Sequence, residues 1–457
     1  MAMGTGAFKI LFVVAAIAIA GGVITSQAFD VPMMFGSSDN ANDSGEISVP
    51  DTATSDETPK DQTIPPEQSS GSTVTPDDAP PAAPVSTHID ITGMTEITGV
   101  TVIDISGSYY IDGKTIAADS GAAIDVTADD VLIVIKDICN IMSDDSDAIR
   151  VSSTSKLTIQ GYDDDSTLTV EGAAVSGAGS GIGNAAGNVG EIDITGINGL
   201  TAAGKGVHAY GIGGDNAAVV ITDSHIISAV GGQLQTFEDT YLGVYISSKG
   251  KTDTEGGPGI GGSDITISGT TIDLAVGGSK AAGIGVRFWQ ATSITITDSI
   301  ITDVYGGAGS AGIGGSREVS GASAAEQTVT IIIDNSSIRA YGGENGAGIG
   351  SGYDINCQKV QGECRIEITG TSVITATGGA YAAGIGTGFH QGNLTGFIES
   401  TVDVSNVTSG EKNYQGKYSL AQDIGYGVVD SAREGKVIVD DGTHFTVAGE
   451  PVPSPFA

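Results

Sequence analysis

Two acidic runs are the first places where this sequence could do chemistry. Asp144, Asp145 and Asp147 lie within Asp144-Asp145-Ser146-Asp147-Ala148-Ile149-Arg150, and Asp163-Asp164-Asp165 follows shortly after. Calcium takes several oxygen ligands, and carboxylates brought together from neighbouring turns of chain can supply them. Aspartate is equally a turn residue, so solvated turn acids are the alternative. A second group of candidates is aromatic. Arg287, Phe288 and Trp289 are consecutive, and Tyr353, Phe389, His390, Phe397 and Tyr426 occur at later, similar points of the chain. Aromatic rings beside Arg and Asp suit the apolar faces of sugars and the surfaces of partner proteins. The same rings could instead pack their own loops. Cys357 and Cys364 bracket a short segment and could close a small disulfide hairpin in an oxidising compartment. Cys139 sits in an apolar run and is expected to be a buried free thiol.

Several chemistries lack their signatures. The five histidines are scattered, and no Gly-His-Gly occurs. The many Gly-x-Gly matches precede strand patterns, so they are not phosphate loops, which open helices. The formal net charge is −36, from 55 acidic and 19 basic residues. Such a chain repels nucleic acid and anionic lipid surfaces, and no nucleic-acid partner is expected.

The elements that must position these residues come from a repeat. Gly-Ile-Gly recurs around Ile182, Ile212, Ile260, Ile284, Ile313, Ile349 and Ile385, with degenerate versions around Ile124, Ile149 and Ile424. Each unit then continues in the same order. After Ala311-Gly312-Ile313-Gly314 come Thr328-Val329-Thr330-Ile331-Ile332-Ile333-Asp334 and Ile338-Arg339-Ala340-Tyr341-Gly342-Gly343. Alternation with period two marks strands with one face inward. A unit of this size cannot bury its apolar face alone, whereas stacked units form continuous columns of Ile and Val about 4.8 Å apart. The expected fold is all-β: a right-handed, single-stranded parallel β-helix of about ten coils with three short strands per coil. Glycine is 70 of 457 residues, and the Gly-Gly pairs fall at one corner of the coils.

With its Ala347-Gly348-Ile349-Gly350-Ser351-Gly352 and Arg365-Ile366-Glu367-Ile368-Thr369-Gly370, the chain resembles Gly-rich right-handed parallel β-helix proteins of microbial cell surfaces. That architecture is shared with pectate-lyase-like enzymes. The resemblance covers about Ser106 to Val447 and implies an adhesin-like or carbohydrate-associated role.

Variable length concentrates after the Gly-Ile-Gly segments, at 287–292, 316–327, 351–363, 387–400 and 426–435. In stacked coils these loops must line one edge, the natural binding face. A larger insertion, 233–257, leaves from another corner.

Residues 1–28 read as a signal peptide or signal anchor. Lys9 precedes an apolar run, and Ser26-Gln27-Ala28 offers small residues for cleavage. Residues 29–87 are a Ser/Thr/Pro/Asp-rich linker too polar to fold. The β-helix is expected over 88–449, with a tail at 450–457. A membrane is touched only through the N-terminal segment, if it stays uncleaved. The leading expectation is a secreted or surface-held, non-enzymatic protein that binds polysaccharide or a cell-surface component through its loop edge. The alternatives are a self-associating sheath, filament or layer protein and a polysaccharide lyase or hydrolase. No cofactor is implied for certain, and calcium is the one candidate.

Overall fold

The computed structural model describes residues 88–174, 179–232, 255–287, 290–317, 328–353, 363–389, 394–410, 421–428, 445–447 and 450–452. Residues 1–28, the linker and most of the 233–257 insertion therefore lie outside the described residues. The described elements are all strands. They form three parallel sheets of 11, 11 and 10 strands, with each interior strand hydrogen-bonded to its equivalents in the coils before and after. This is a right-handed parallel β-helix with three strands per coil. The first sheet is made of the Gly-Ile-Gly segments, such as Ile284–Gly285 and Ile313–Gly314. The second holds the Ile-rich strands, such as Thr292–Thr297 and Thr328–Asp334. The third holds strands such as Ile300–Tyr305 and Ser337–Tyr341, which lead into the Gly-Gly corner.

Register follows the inward side chains. In the first sheet Ile124, Ile149, Ile182, Ile212, Ile260, Ile284, Ile313, Ile349, Ile385 and Ile424 pair in unbroken succession. In the second, Ile133, Ile159, Ile194, Ile221, Ile267, Ile296, Ile333, Ile368 and Ile398 do the same. A slip of one residue would turn every isoleucine outward, so burial specifies this register strongly. A third-sheet column carries smaller groups, Ala202, Ala229, Ala275, Val304, Ala340 and Ala376. All but the half-buried Ile424 at the far end are buried members of one continuous core, and Ile424 packs against it.

Two devices hold the corners. Between the second and third sheets a buried hydroxyl stands in successive coils: Ser224, Thr270, Ser299, Ser336 and Ser372. The backbone N–H of each of the first four donates to the hydroxyl of the next coil, at 3.1–3.4 Å. Asp223, Asp298 and Asn335, one residue earlier, have φ of 47–49°. Asn and Asp tolerate this left-handed conformation better than other non-glycine residues. The first four spine residues therefore share a sequence signature, a Gly, Asp or Asn followed by Ser or Thr, that the strand pattern did not reveal. At the Gly-Gly corner the constraint is closeness. A Cβ on Gly307 would lie 1.8 Å from the Gly278 carbonyl oxygen, and one on Gly343 1.9 Å from that of Gly307.

Within the expected tail, Glu450–Val452 pairs antiparallel with Phe445–Val447. One expectation changes. Cys364 is no hairpin cysteine. It is a free, buried thiol in register with Val329 and Leu394, and burial pushes it up to about 12. The strand begins at Glu363, so alternation sends Cys364 into the core. Cys357 itself lies outside the described residues. Cys139 is a buried free thiol, as its apolar surroundings predict.

Candidate functional site

The loop edge is built by the Gly-Ile-Gly segment. Its isoleucine is the tip of a fold-back, because the chain enters, points one side chain inward and returns outward. Across the tips at Ile313, Ile349 and Ile385 the N–H two residues before the isoleucine donates to the carbonyl two residues after it. The pairs are Ala311 to Gly315 at 2.8 Å, Ala347 to Ser351 at 3.1 Å and Ala383 to Thr387 at 3.0 Å. The glycine after the isoleucine makes the reversal. Gly314, Gly350 and Gly386 have φ of 127°, 138° and 137°. A Cβ on Gly350 would also stand 1.8 Å from the Gly386 carbonyl oxygen. Only glycine meets both demands.

The returning arms continue outside the coil and tie to corner turns. The N–H groups of Tyr353, Phe389 and Val428 donate to the carbonyls of Gly309, Asn345 and Tyr381, at 2.6, 2.9 and 2.8 Å. Side chains of these arms and turns stack along the axis. The Arg317 guanidinium lies 5.6 Å from the centre of the Tyr353 ring. Tyr353 stacks on Phe389 at 5.4 Å, and Tyr381 meets Phe389 at 5.1 Å. With Ala421 and Val428 the three rings form a second, small hydrophobic cluster, separate from the main core. The described arms reach residues 317, 353, 389 and 428, beside this stack. The chain re-enters the second sheet at Thr328, Glu363 and Leu394. The bases of the loops therefore form one column, as stacking in register requires.

The predicted aromatic residues divide. Tyr353 is half-buried in the stack, and Phe389 is only 4% exposed, so it packs the loop bases rather than offering a face. Phe288, Trp289 and His390 lie outside the described residues. Phe397 does not belong to a loop. It lies on the strand Leu394–Ile398 in register with Glu367, on an outward position of the second sheet. The loop read as 387–400 thus closes by Leu394, and Thr395-Gly396-Phe397 hid the strand by lacking alternation. Tyr426 packs against the main core, and burial pushes its hydroxyl up to about 12.

Arg287 also corrects its expected role as a surface contact. It is 5% exposed and forks onto Asp215, Nε to Oδ1 at 2.8 Å and Nη2 to Oδ2 at 2.5 Å. The Tyr210 hydroxyl donates to the same Oδ1 at 2.5 Å, and the guanidinium lies 5.4 Å from the Tyr210 ring centre. Burial pushes the Asp215 carboxyl up, but the Arg287 fork and charge and the Tyr210 hydroxyl outweigh it, holding the carboxyl below its ordinary value. The group clamps the coil of Ile212 to that of Ile284, across the coil of Ile260. His208 pairs with Glu255 at 3.2 Å beside it. Desolvation, then the Arg287 charge, lowers the His208 pKa.

The acidic runs are largely engaged by backbone. Buried Asp147 accepts N–H bonds from Gly179, Ser180 and Ala185 at 2.7–3.2 Å. Desolvation raises its pKa against those bonds. Asp145 accepts from the Gly121 N–H at 2.6 Å, while Asp144 is exposed. Asp163 closes a turn by accepting from the Asp165 N–H and the Ser166 hydroxyl, both at 3.1 Å, and Asp164 and Asp165 flank it on the turn. Among the described residues no three His, Cys, Asp or Glu side chains are grouped to hold a metal ion. A feature missed from sequence lies on the third sheet. Tyr305 and Tyr341 stack at 4.9 Å beside the Arg339–Asp303 pair, at 2.7 Å. The signal was present in the equivalent Asp303-Val304-Tyr305-Gly306-Gly307 and Arg339-Ala340-Tyr341-Gly342-Gly343 segments.

Comparison of the chain with protein-family models, with curated proteins and with solved structures finds no match in any of the three.

Proposed function

We propose that this chain is an exported, non-enzymatic surface protein that binds polysaccharide or another cell-surface component through the loops along one edge of its β-helix. The observation that carries the reading is the division of labour at that edge. Glycine-dependent fold-backs repeat through the later coils, and the stretch of sequence between each and the next strand differs in length. A rigid scaffold that holds variable loops side by side is a common way to build a recognition surface. The Arg317–Tyr353–Phe389 stack supports it by fixing the loop bases. The likeness to adhesin-like β-helix proteins noted from the repeat agrees with this role.

The test is a glycan array probed with the full chain, followed by Trp289→Ala and Tyr353→Ala. Sequence places Trp289 in the first of the loops, and Tyr353 supports the base of the third. Each substitution is expected to weaken binding to the best glycan by at least about tenfold, the scale of one lost aromatic contact. No glycan binding across the array sinks the polysaccharide version. Depolymerisation of an acidic or neutral polysaccharide by the chain sinks the non-enzymatic one.

A further inference from the structure

Asn-x-Ser/Thr is the acceptor sequence for N-linked glycans on exported chains. It occurs here at Asn42, Asn335, Asn393 and Asn406. Asn42 and Asn393 lie outside the described residues. At the other two the fold sets one pattern. The middle residue, Ser336 or Val407, is buried. The asparagine and the hydroxyl residue, Ser337 or Thr408, are exposed.

Asn335 opens a turn that has the same length in four consecutive coils: Asp223-Ser224-His225, Gly269-Thr270-Thr271, Asp298-Ser299-Ile300 and Asn335-Ser336-Ser337. The third residues of these turns pair in register. Asp and Gly meet the left-handed φ of the first position in the other coils, so the turn does not demand asparagine. The strand does not demand Ser337 either, because Ile300 and Val373 flank it in register. Both departures fall in the one coil where together they make an acceptor. The Asn335 Oδ1 accepts the backbone N–H of Thr371 at 3.1 Å. A glycosylated amide keeps its oxygen, so that bond survives the modification. Asn406 lies on the strand Asp403–Thr408, with Asn406 beside Thr375 and Thr408 beside Thr377. Residues two apart on a strand share a face, so the amide and the Thr408 hydroxyl stand together on the outer side of the third sheet.

We propose that Asn335 and Asn406 are N-glycosylation sites. The step takes a sugar from a lipid-linked phosphate donor. The side-chain amide nitrogen bonds to the anomeric carbon, the bond from that carbon to the phosphate oxygen breaks, the amide loses one proton and the lipid phosphate leaves. The inference rests on the export included in the proposed function, because acceptor asparagines are used on exported chains. The placement suits that function. Asn335 is at the corner between the second and third sheets and Asn406 is on the third sheet, whereas the loops lie between the first and second. Bulky, solubilising sugars at these positions leave the loop edge open.

The test is peptide mass spectrometry of the full chain purified from the cells that make it, with cell fractionation alongside. The peptides holding Asn335 and Asn406 are expected to carry sugar mass. Thr408→Ala is expected to abolish the modification at Asn406 and leave that at Asn335, and Ser337→Ala to do the converse. Both substitutions are at exposed side chains, and unchanged far-ultraviolet circular dichroism verifies the fold. A bare peptide at either asparagine overturns that site. Sugar confined to Asn42 or Asn393, or sugar that survives loss of the neighbouring hydroxyl, overturns the proposal as a whole. Fractionation reads export separately, so bare asparagines on an exported chain leave the proposed function standing.

Discussion

The first sheet is built in two ways. In the early coils it is a true wall: Ile124–Val126 and Ile149–Val151 each turn two side chains into the core and one outward. The outward Asp125 and Arg150 pair across neighbouring coils, with Nε to Oδ1 at 2.9 Å. In the later coils the same register positions hold Ile284–Gly285 through Ile424–Gly425. Only one side chain enters the core, and the chain turns straight back out. The isoleucines are equivalent, pair for pair. What differs is the next residue, an aspartate or arginine in ordinary extended conformation against a glycine at positive φ. From Ile284 onward the positive-φ glycine goes with the fold-back, whereas Ile182-Gly183 and Ile212-Gly213 carry the same glycine conformation on strands that run on to Asn188 and Asp215.

Replacing that glycine tests the comparison hardest. Gly350→Ala puts a methyl group into the Gly386 carbonyl at a φ that alanine avoids, and is expected to cost more than about 4 kcal/mol in denaturant unfolding. A loss under about 1 kcal/mol would mean that the later coils do not need the reversal. Breaking the clamp comes next. Arg287→Ala leaves buried Asp215 without its fork and is expected to cost about 3–4 kcal/mol. The variant Asp215→Asn keeps the side chain's shape and removes its charge. Asp215 has a folded pKa below its unfolded one, so its stabilisation is present above the unfolded carboxyl pKa, about 3.9, and is lost as pH falls through the folded value. Asp215→Asn should flatten the unfolding midpoint against pH in that acidic window; an unchanged slope refutes the assignment.

Phe389→Ala probes the outer arm alone. It should cost about 3 kcal/mol locally, read as faster proteolysis within 390–393 while the circular dichroism of the coils is kept. Loss of the whole fold would show that the arm and the core are one unit. The smallest effect is expected at the early wall, where Asp125→Ala removes a partly exposed ion pair and should change stability by less than about 1 kcal/mol in the same unfolding measurement.

The columns were legible because they depend on periodicity. Ile294-Thr295-Ile296-Thr297 states its own inward face, and the recurring Gly-Ile-Gly states which residue of each coil stacks on which. Sites were harder to read because their partners are set across coils. Arg287 is 72 residues from Asp215, and nothing local in Val286-Arg287-Phe288 marks it as buried. Phe397 was misplaced because Gly396 interrupts the inward alternation of its strand. Cys364 was misread because two cysteines near each other in sequence suggest a bridge, whereas strand parity sends this one inward.

The sequence by itself determined the three-sided coil, its inward isoleucines and the side from which the loops emerge. Those follow from alternation and repetition, which any stretch of the chain carries within itself. Only the tertiary structure decided that the Gly-Ile segments fold back, that Phe389 is packed and that Arg287 is locked to Asp215. These depend on which coil lies above which and how closely. Hydrogen bonds and van der Waals contacts act over a few ångströms of space, regardless of how much chain lies between.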